Sequence, residues 1–343
     1  MSARVALAVS GSLRYAEQPA CLDTGRAAWR SSAFGLALEG AFEAPGFARD
    51  LHAASDFPLV RLNLMSDPDV RAAWVDDQAE RLVNWRFDDG RPVMTVDRHP
   101  ELGYRLFAIG QGVHVVSADG SRICSAPAGA EDWIWQRFLV GQVLPLAAVL
   151  SGREVLHASA VTIVGRAVCF VGESGAGKTS LALNLALRGA EILSDDVAAV
   201  SLRGPHLTVH PGPRLANLRH EEDTRLGPRR ALLGEAIGSD AEGLRLVVPG
   251  APAPARLSAV YFLDRAADVD ELQFLELSDK PFSALAACCF TRFLSTPDRL
   301  RNQLRTYGTL VDSARLFRLC VPAGMGAAEL SVHVEAHACD ELD

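Results

Sequence analysis

The segment Gly172-Glu173-Ser174-Gly175-Ala176-Gly177-Lys178-Thr179 constrains this chain more than any other. It fits G-x-x-x-x-G-K-[ST], a loop whose backbone N–H groups wrap phosphate oxygens, whose lysine reaches the outer phosphates and whose hydroxyl ligates Mg2+. The flanks agree with that reading. Ala167 to Val171 is a continuous apolar run of the kind a buried parallel strand shows, and Ser180 to Arg188 is a good helical stretch closed by Gly189. Strand, glycine loop and helix N-terminus therefore follow in the order an anion site needs, because the unpaired N–H groups and the dipole of the helix face the loop. Gly172 to Thr179, together with Ser180, form the candidate nucleotide-binding set.

Downstream, Ala190 to Ser194 reads as a short strand that runs into two carboxylates, Asp195 and Asp196. An acid at such a strand end can hold Mg2+ directly or through water, and a neighbouring acid can take the proton of an attacking hydroxyl. Adjacent residues of an extended strand face opposite ways, so the pair shares one site only if the backbone turns there. The alternative is a pair of solvated turn residues. Upstream, Glu154 to Ile163 reads as a strand, and a turn at Gly165-Arg166 leads back into the loop strand. Two antiparallel strands ahead of the loop depart from the usual parallel nucleotide-binding layout.

The chain is long enough, at 343 residues, for two domains. Met1 to Asp132 carries no catalytic signature; its short apolar runs, Val5–Val9, Phe34–Leu38, Leu59–Leu62 and Val113–Val116, read as a twisted antiparallel sheet. It is expected to be a β-rich accessory or substrate-binding domain (1–132) ahead of a catalytic domain (133–343). Trp133 to Leu150 takes helical spacing and bridges the two. Later, Pro281 to Gly308 reads as a helix whose Arg292, Arg299, Arg301 and Arg305 form a solvated face, and Leu316–Val321 and Leu330–Val334 read as closing strands.

A net charge of −8 argues against a nucleic-acid partner, whose phosphates need a basic surface. No apolar run reaches the roughly 20 residues of a membrane span, Val140 to Leu150 being interrupted by Pro145, and no secretory signal is apparent. Seven cysteines without a C-x-x-C pair read as reduced thiols, with Cys288-Cys289 in a helical core. A cytoplasmic protein is expected. Its alanine and arginine usage suggests a bacterial source.

His157, the loop and the acid pair together resemble the catalytic core of bacterial HPr kinase/phosphorylase. In that family a histidine precedes the first loop glycine by about fifteen residues and a D-D pair follows the loop hydroxyl by about sixteen; here the separations are fifteen and sixteen. The resemblance implies an α/β (α+β) fold, a P-loop kinase core related to phosphoenolpyruvate carboxykinase, with ATP and Mg2+ as cofactors. It implies that Lys178 and the loop backbone hold the outer phosphates, Thr179 and Asp195 serve the metal, Asp196 is the catalytic base and His157 lies beside the transferring group. For His157 a hydrogen-bonded histidine at a strand end is the other reading.

Two departures narrow what is implied. Ser180 stands where the family carries a glutamate, and the E-I-R-G-L-G segment tied to dephosphorylation and assembly is absent. Phosphorylase activity and a hexamer are therefore not expected, and a homo-oligomer of another size stays open. The Ser32–Leu36 and Leu156–Val161 segments are closer to HPr-kinase-like proteins of biosynthetic clusters, some of which phosphorylate a serine of a ribosomally made precursor such as a lasso peptide. The expected acceptor is a hydroxyl of a peptide, a protein or a small molecule. Arg214 and Arg245 are candidates to assist transfer.

Overall fold

The computed structural model describes residues 29–342 except 41, 43, 48–55, 130, 252, 266–267, 279–283 and 287. The expected strand at Val5–Val9 lies outside them.

Eight strands form the first sheet: β1 (Trp29–Ala33), β2 (Leu36–Gly40), β3 (Leu59–Leu64), β4 (Glu80–Arg86), β5 (Pro92–His99), β6 (Gly103–Ala108), β7 (Gly112–Val116) and β8 (Arg122–Ala126). Their order is β1-β2-β3-β8-β7-β6-β5-β4. The sheet is mixed rather than wholly antiparallel, because β3 lies parallel to both β2 and β8. Strands that enter from a distant part of the chain carry no hairpin to force the opposite direction, so alternation of apolar residues could not reveal it. Helix α1 (Asp67–Ala73) packs on β7 and β8, with Val70 buried and Ser66 capping its first turn by accepting from the Asp69 N–H.

The bridge between the halves is one helical segment in three pieces: α2 (Asp132–Phe138), a π-helical turn (Leu139–Val143) and α3 (Leu144–Leu150). Pro145 does not interrupt it, since proline is accommodated in the first turn of α3, where its missing N–H costs little. The segment is long and apolar enough to cross a membrane by length and composition, yet 67% of it is buried inside the protein. Leu139, Leu144 and Leu146 are wholly buried in a cluster with Leu36 and Leu62 of the first sheet and with Val197 and Ala199 beyond the glycine loop. Each such leucine stabilises the fold by about 2 kcal/mol, which explains why so apolar a helical segment lies inside the molecule.

A second sheet surrounds the glycine loop. Its strands are β9 (Glu154–Leu156), β10 (Ala158–Ile163), β11 (Arg166–Val171), β12 (Glu191–Ser194), β13 (Ala198–Arg203), β14 (His206–His210), β18 (Ala255–Asp264), β19 (Gln273–Glu276) and β20 (Arg315–Cys320). The order runs β12-β10-β11-β18-β14-β13-β9, with β20 beside β18 and β19 beside β20. β10 and β11 form the expected antiparallel hairpin, with Val164 and Gly165 both left-handed at its turn. The parallel pairs β11·β18 and β18·β20 build the centre. Helix α4 (Lys178–Ala186) and helix α7 (Ala327–Leu342) lie against each other on one face. A three-stranded sheet, β15 (Leu215–Arg219), β17 (Gly243–Val247) and β16 (Glu235–Ser239) in that order, stands beside α4, with α5 (His220–Leu226) after β15.

Three expectations fail. Leu330–Val334 belongs to α7 rather than a strand, burying Leu330, Val334 and Ala338 at helical spacing against the Phe170 and Leu181 core. The late arginine-bearing helix is α6 (Pro297–Ser313); upstream of it Cys289 forms an isolated bridge with Leu156, so the cysteine pair is not helical. Arg299 is not on a solvated face. It is buried in a two-pronged pair with Glu154, Nη1 to Oε2 at 2.6 Å and Nη2 to Oε1 at 2.7 Å. Local charge spacing cannot tell a solvent-facing arginine from one aimed at an acid 145 residues away.

Candidate active site

β11 ends at Val171 and the chain turns through the loop into α4 at Gly177, which caps the helix in a left-handed conformation, φ 97°. A side chain there would be strained by its backbone alone. Glu173, Ser174 and Gly175 are exposed at the loop tip, whereas Lys178 is buried with 7% of its surface accessible. Its ammonium curls back over the loop and donates to the carbonyls of Gly172 at 2.9 Å and Glu173 at 3.1 Å. Burial lowers the Lys178 pKa below the ordinary lysine value, and the charges of Asp196 and Asp195 oppose that shift.

Thr179, one residue on, donates its hydroxyl to Asp195, 2.8 Å to Oδ1 and 3.1 Å to Oδ2. The same carboxylate accepts from the Ser159 hydroxyl at 2.6 Å and from the Asn217 backbone N–H at 3.3 Å. Desolvation raises the Asp195 pKa; the Ser159 bond pulls it down, and the Asp196 charge adds to the rise. Asp196 does not continue the strand. Its backbone is left-handed, φ 68°, so the two acids leave β12 at a turn, as sharing one site requires.

His157 occupies the break between β9, which pairs with β13, and β10, which pairs with β11 and β12. Its backbone N–H donates to the Cys288 carbonyl at 2.8 Å. The imidazole Nδ1 lies 3.0 Å from the Asp196 carbonyl and 3.4 Å from its carboxylate Oδ1. His157, Asp195, Asp196, Lys178 and Thr179 are thus gathered in one place, while Ser180 is half-buried in the first turn of α4 with its carbonyl accepting from Asn184.

The two arginines singled out from the sequence part company. Arg214 is exposed, and its stem lies against Gly250. Arg245 is buried, donates to the Asn217 Oδ1 at 2.6 Å, and has its pKa lowered to about 10 by burial, with the nearby Asp195 and Asp196 charges opposing the shift.

Two other arginines flank the loop without having been singled out. The Arg219 guanidinium, exposed at the end of β15, stands 3.6 Å from where a Gly175 Cβ would sit, and no acceptor bonds it among the described residues. Arg265 donates to the Ala176 carbonyl at 2.9 Å and to the Met325 carbonyl at 3.0 Å, tying the loop to the segment before α7. Only the register that sets β15 beside α4 brings Arg219 there, so no local sequence signal could have found it.

The residues fit a phosphate-bound hard cation. A threonine hydroxyl beside a carboxylate is an oxygen pair of the kind Mg2+ takes, and that ion fills its remaining positions with water and substrate phosphates. Among the described residues no group of three or more His, Cys, Asp or Glu converges as a metal cage, so phosphate and water would supply the rest.

The hairpin, the glycine loop capped onto α4 and the acid-bearing turn after β12 define a mixed α/β protein with a glycine-rich loop next to two carboxylates. Over 123 residues, 33% of this chain, it is 37% identical to the HPr kinase/phosphorylase of Aromatoleum aromaticum, a similarity confined to that stretch. The match spans 39% of that relative's length. No family model matches the chain. Among solved structures, the Hpr(Ser) kinase/phosphatase from Coxiella burnetii matches at 14% identity and a TM-score of 0.32, covering 55% of this chain and 89% of that one. That likeness is too distant to bear on the site.

Proposed function

We propose that this protein is a kinase that uses ATP and Mg2+ to phosphorylate a serine-type hydroxyl of a peptide or protein. The observation that carries the reading is the Thr179–Asp195 contact of 2.8 Å, which brings the loop hydroxyl against the first acid while the second, Asp196, turns toward His157. The curated relative, itself named as a kinase, supports it.

Phosphoryl transfer asks little covalent chemistry of a protein and much positioning and charge neutralisation. Loop N–H groups and the Lys178 ammonium, exchanging its two carbonyl acceptors for phosphate oxygens, would hold the nucleotide tail. Thr179 and Asp195 would hold Mg2+, which neutralises charge on the outer phosphates. Asp196, half exposed, would accept the proton of the attacking hydroxyl as the new phosphorus–oxygen bond forms and the bond to ADP breaks. His157 would orient that carboxylate. The eight-stranded unit before Asp132 would serve as the accessory, acceptor-facing part.

The test is incubation with γ-labelled ATP, Mg2+ and candidate peptides, followed by mass measurement of the acceptor. A phosphate adduct of about 80 daltons, one transferred phosphoryl group, is expected. Hydrolysis of ATP that never leaves phosphate on any hydroxyl would instead identify a nucleotide-dependent regulatory protein.

A further inference from the structure

A cavity of about 320 Å³ opens directly on the acid pair, with Asp195, Asp196, Asn217 and Arg245 on one side. Facing them are Gly141 and Gln142 of the π-helical turn, and Phe34 and Gln111 of the first sheet. A second cavity of about 300 Å³, lined by Trp133, Ile134 and Asp240, shares Gln111 and Arg137 with the first. The two form one groove that leads from Asp196 along α2.

Three features mark the groove as built for an occupant. Its volume near the acids is at the lower end of ligand-site volumes, enough for one hydroxyl-bearing residue and its neighbours but not for a folded surface. The side-chain oxygen of Gln111, a residue that lines both cavities, is buried with no donor among the described residues, a costly state that rotation of its amide toward an incoming N–H would relieve. A π-helical turn, a form often found at functional sites, carries Gly141, where a Cβ would meet nothing within 4 Å.

The lining also has a chemical character. Gln111, Gln142 and Asn217 present amides, the natural partners of a peptide backbone. Five carboxylates, those of Asp195, Asp196, Glu242, Glu131 and Asp240, face two guanidiniums, those of Arg137 and Arg245. Arg137 is paired with both Asp240 and Glu242 while Arg245 bonds only the neutral Asn217, so the lining as a whole keeps an excess of acid over base that disfavours an acidic ligand.

We propose that this groove binds an extended peptide segment with neutral to basic flanks, setting its acceptor hydroxyl at Asp196 and its neighbouring residues along α2 toward Trp133. The inference rests on the kinase reading and adds where the acceptor lies and what it is.

Three probes test it: a capped pentapeptide with a central serine flanked by lysines, its glutamate-flanked counterpart, and free L-serine. The lysine-flanked peptide should be phosphorylated with a kcat/KM about tenfold or more above the glutamate-flanked one, since like charges set together are strongly disfavoured. Gly141→Leu, which fills the cavity, should raise KM for the favoured peptide about tenfold or more. Gln111→Leu on the first-sheet turn should raise it in the same direction, and thermal melting of each variant reports folding. Equal use of both peptides, free L-serine serving as well as a peptide, unchanged KM in both folded variants, or ATP hydrolysis without transfer to any probe would each overturn the proposal. Failure to bind ATP at all would overturn the kinase reading instead.

Discussion

The hydroxyl of Thr179, in the first turn of α4, donates to the carboxylate of Asp195 at the end of β12, 2.8 Å away and sixteen residues on. The bond joins the helix that follows the glycine loop to the acid-bearing strand. Asp195→Asn keeps the shape, loses the charge and should weaken Mg2+-dependent nucleotide binding while leaving metal-free nucleotide binding nearly unchanged. Titration of ATP with and without Mg2+ checks this; equal metal dependence in variant and wild type would remove Asp195 from the metal site.

Asp196 is assigned a separate task from its neighbour. Asp196→Asn should lower transfer by about 10²–10⁴-fold, the usual contribution of a general base, with nucleotide affinity retained. Single-turnover kinetics with labelled ATP measure it, and wild-type-like turnover would falsify the assignment.

Lys178 is buried, and its pKa is lowered mainly by that burial. In the free protein its charge is present below that lowered pKa and is lost as pH rises through it. ATP affinity should therefore begin to fall at a lower pH than an ordinary lysine would dictate, and Lys178→Ala should be weak and flat across the same range. Affinities measured from neutral to alkaline pH decide; identical profiles for the two proteins would exclude the lysine from phosphate binding.

Arg219 projects beside Gly175 with no acceptor among the described residues, so its removal costs the fold little. Arg219→Ala should shift the melting free energy by no more than about 0.5 kcal/mol, as surface changes do. It should nevertheless weaken ATP binding or slow transfer about tenfold or more, the worth of a charge-assisted phosphate contact. Unaltered kinetics would show that the guanidinium does not reach the nucleotide.

Glu154 and Arg299 form a buried pair with two short bonds, and Gln303 also donates to Glu154 at 3.4 Å. Arg299→Ala leaves the carboxylate buried and uncompensated, an expected loss of about 3–5 kcal/mol. Denaturant unfolding measures it, and a loss below about 1 kcal/mol, the range of exposed pairs, would mean that water or a rearranged partner takes over.

Several of these contacts could be read in advance and others could not. The glycine loop, the strand before it and the helix after it are contiguous, so their succession follows from residue order, and the hairpin of β10 and β11 was legible from Gly165-Arg166, although the left-handed turn residues are Val164 and Gly165. The acid pair was legible as a pair. Its division into a half-buried Asp195, bonded by Ser159 and Thr179, and a turned Asp196 beside His157 was not, because that depends on a left-handed backbone at one residue. Leu330 to Val334 misled for a similar reason: a short apolar run looks alike in a strand and in a buried helix, and only the Phe170 and Leu181 core decides between them.

By itself, the residue order determined a glycine loop, a helix that follows it and two carboxylates within reach along the chain, since each is set by neighbours in sequence. Tertiary structure alone decided which cations flank that loop, which arginine is sealed against Glu154, and that Gln111, in the turn between β6 and β7, lines one cavity with Asp196. Such relations join positions tens to more than a hundred residues apart. They arise from sheet register and helix packing, which depend on the whole core and leave no local trace.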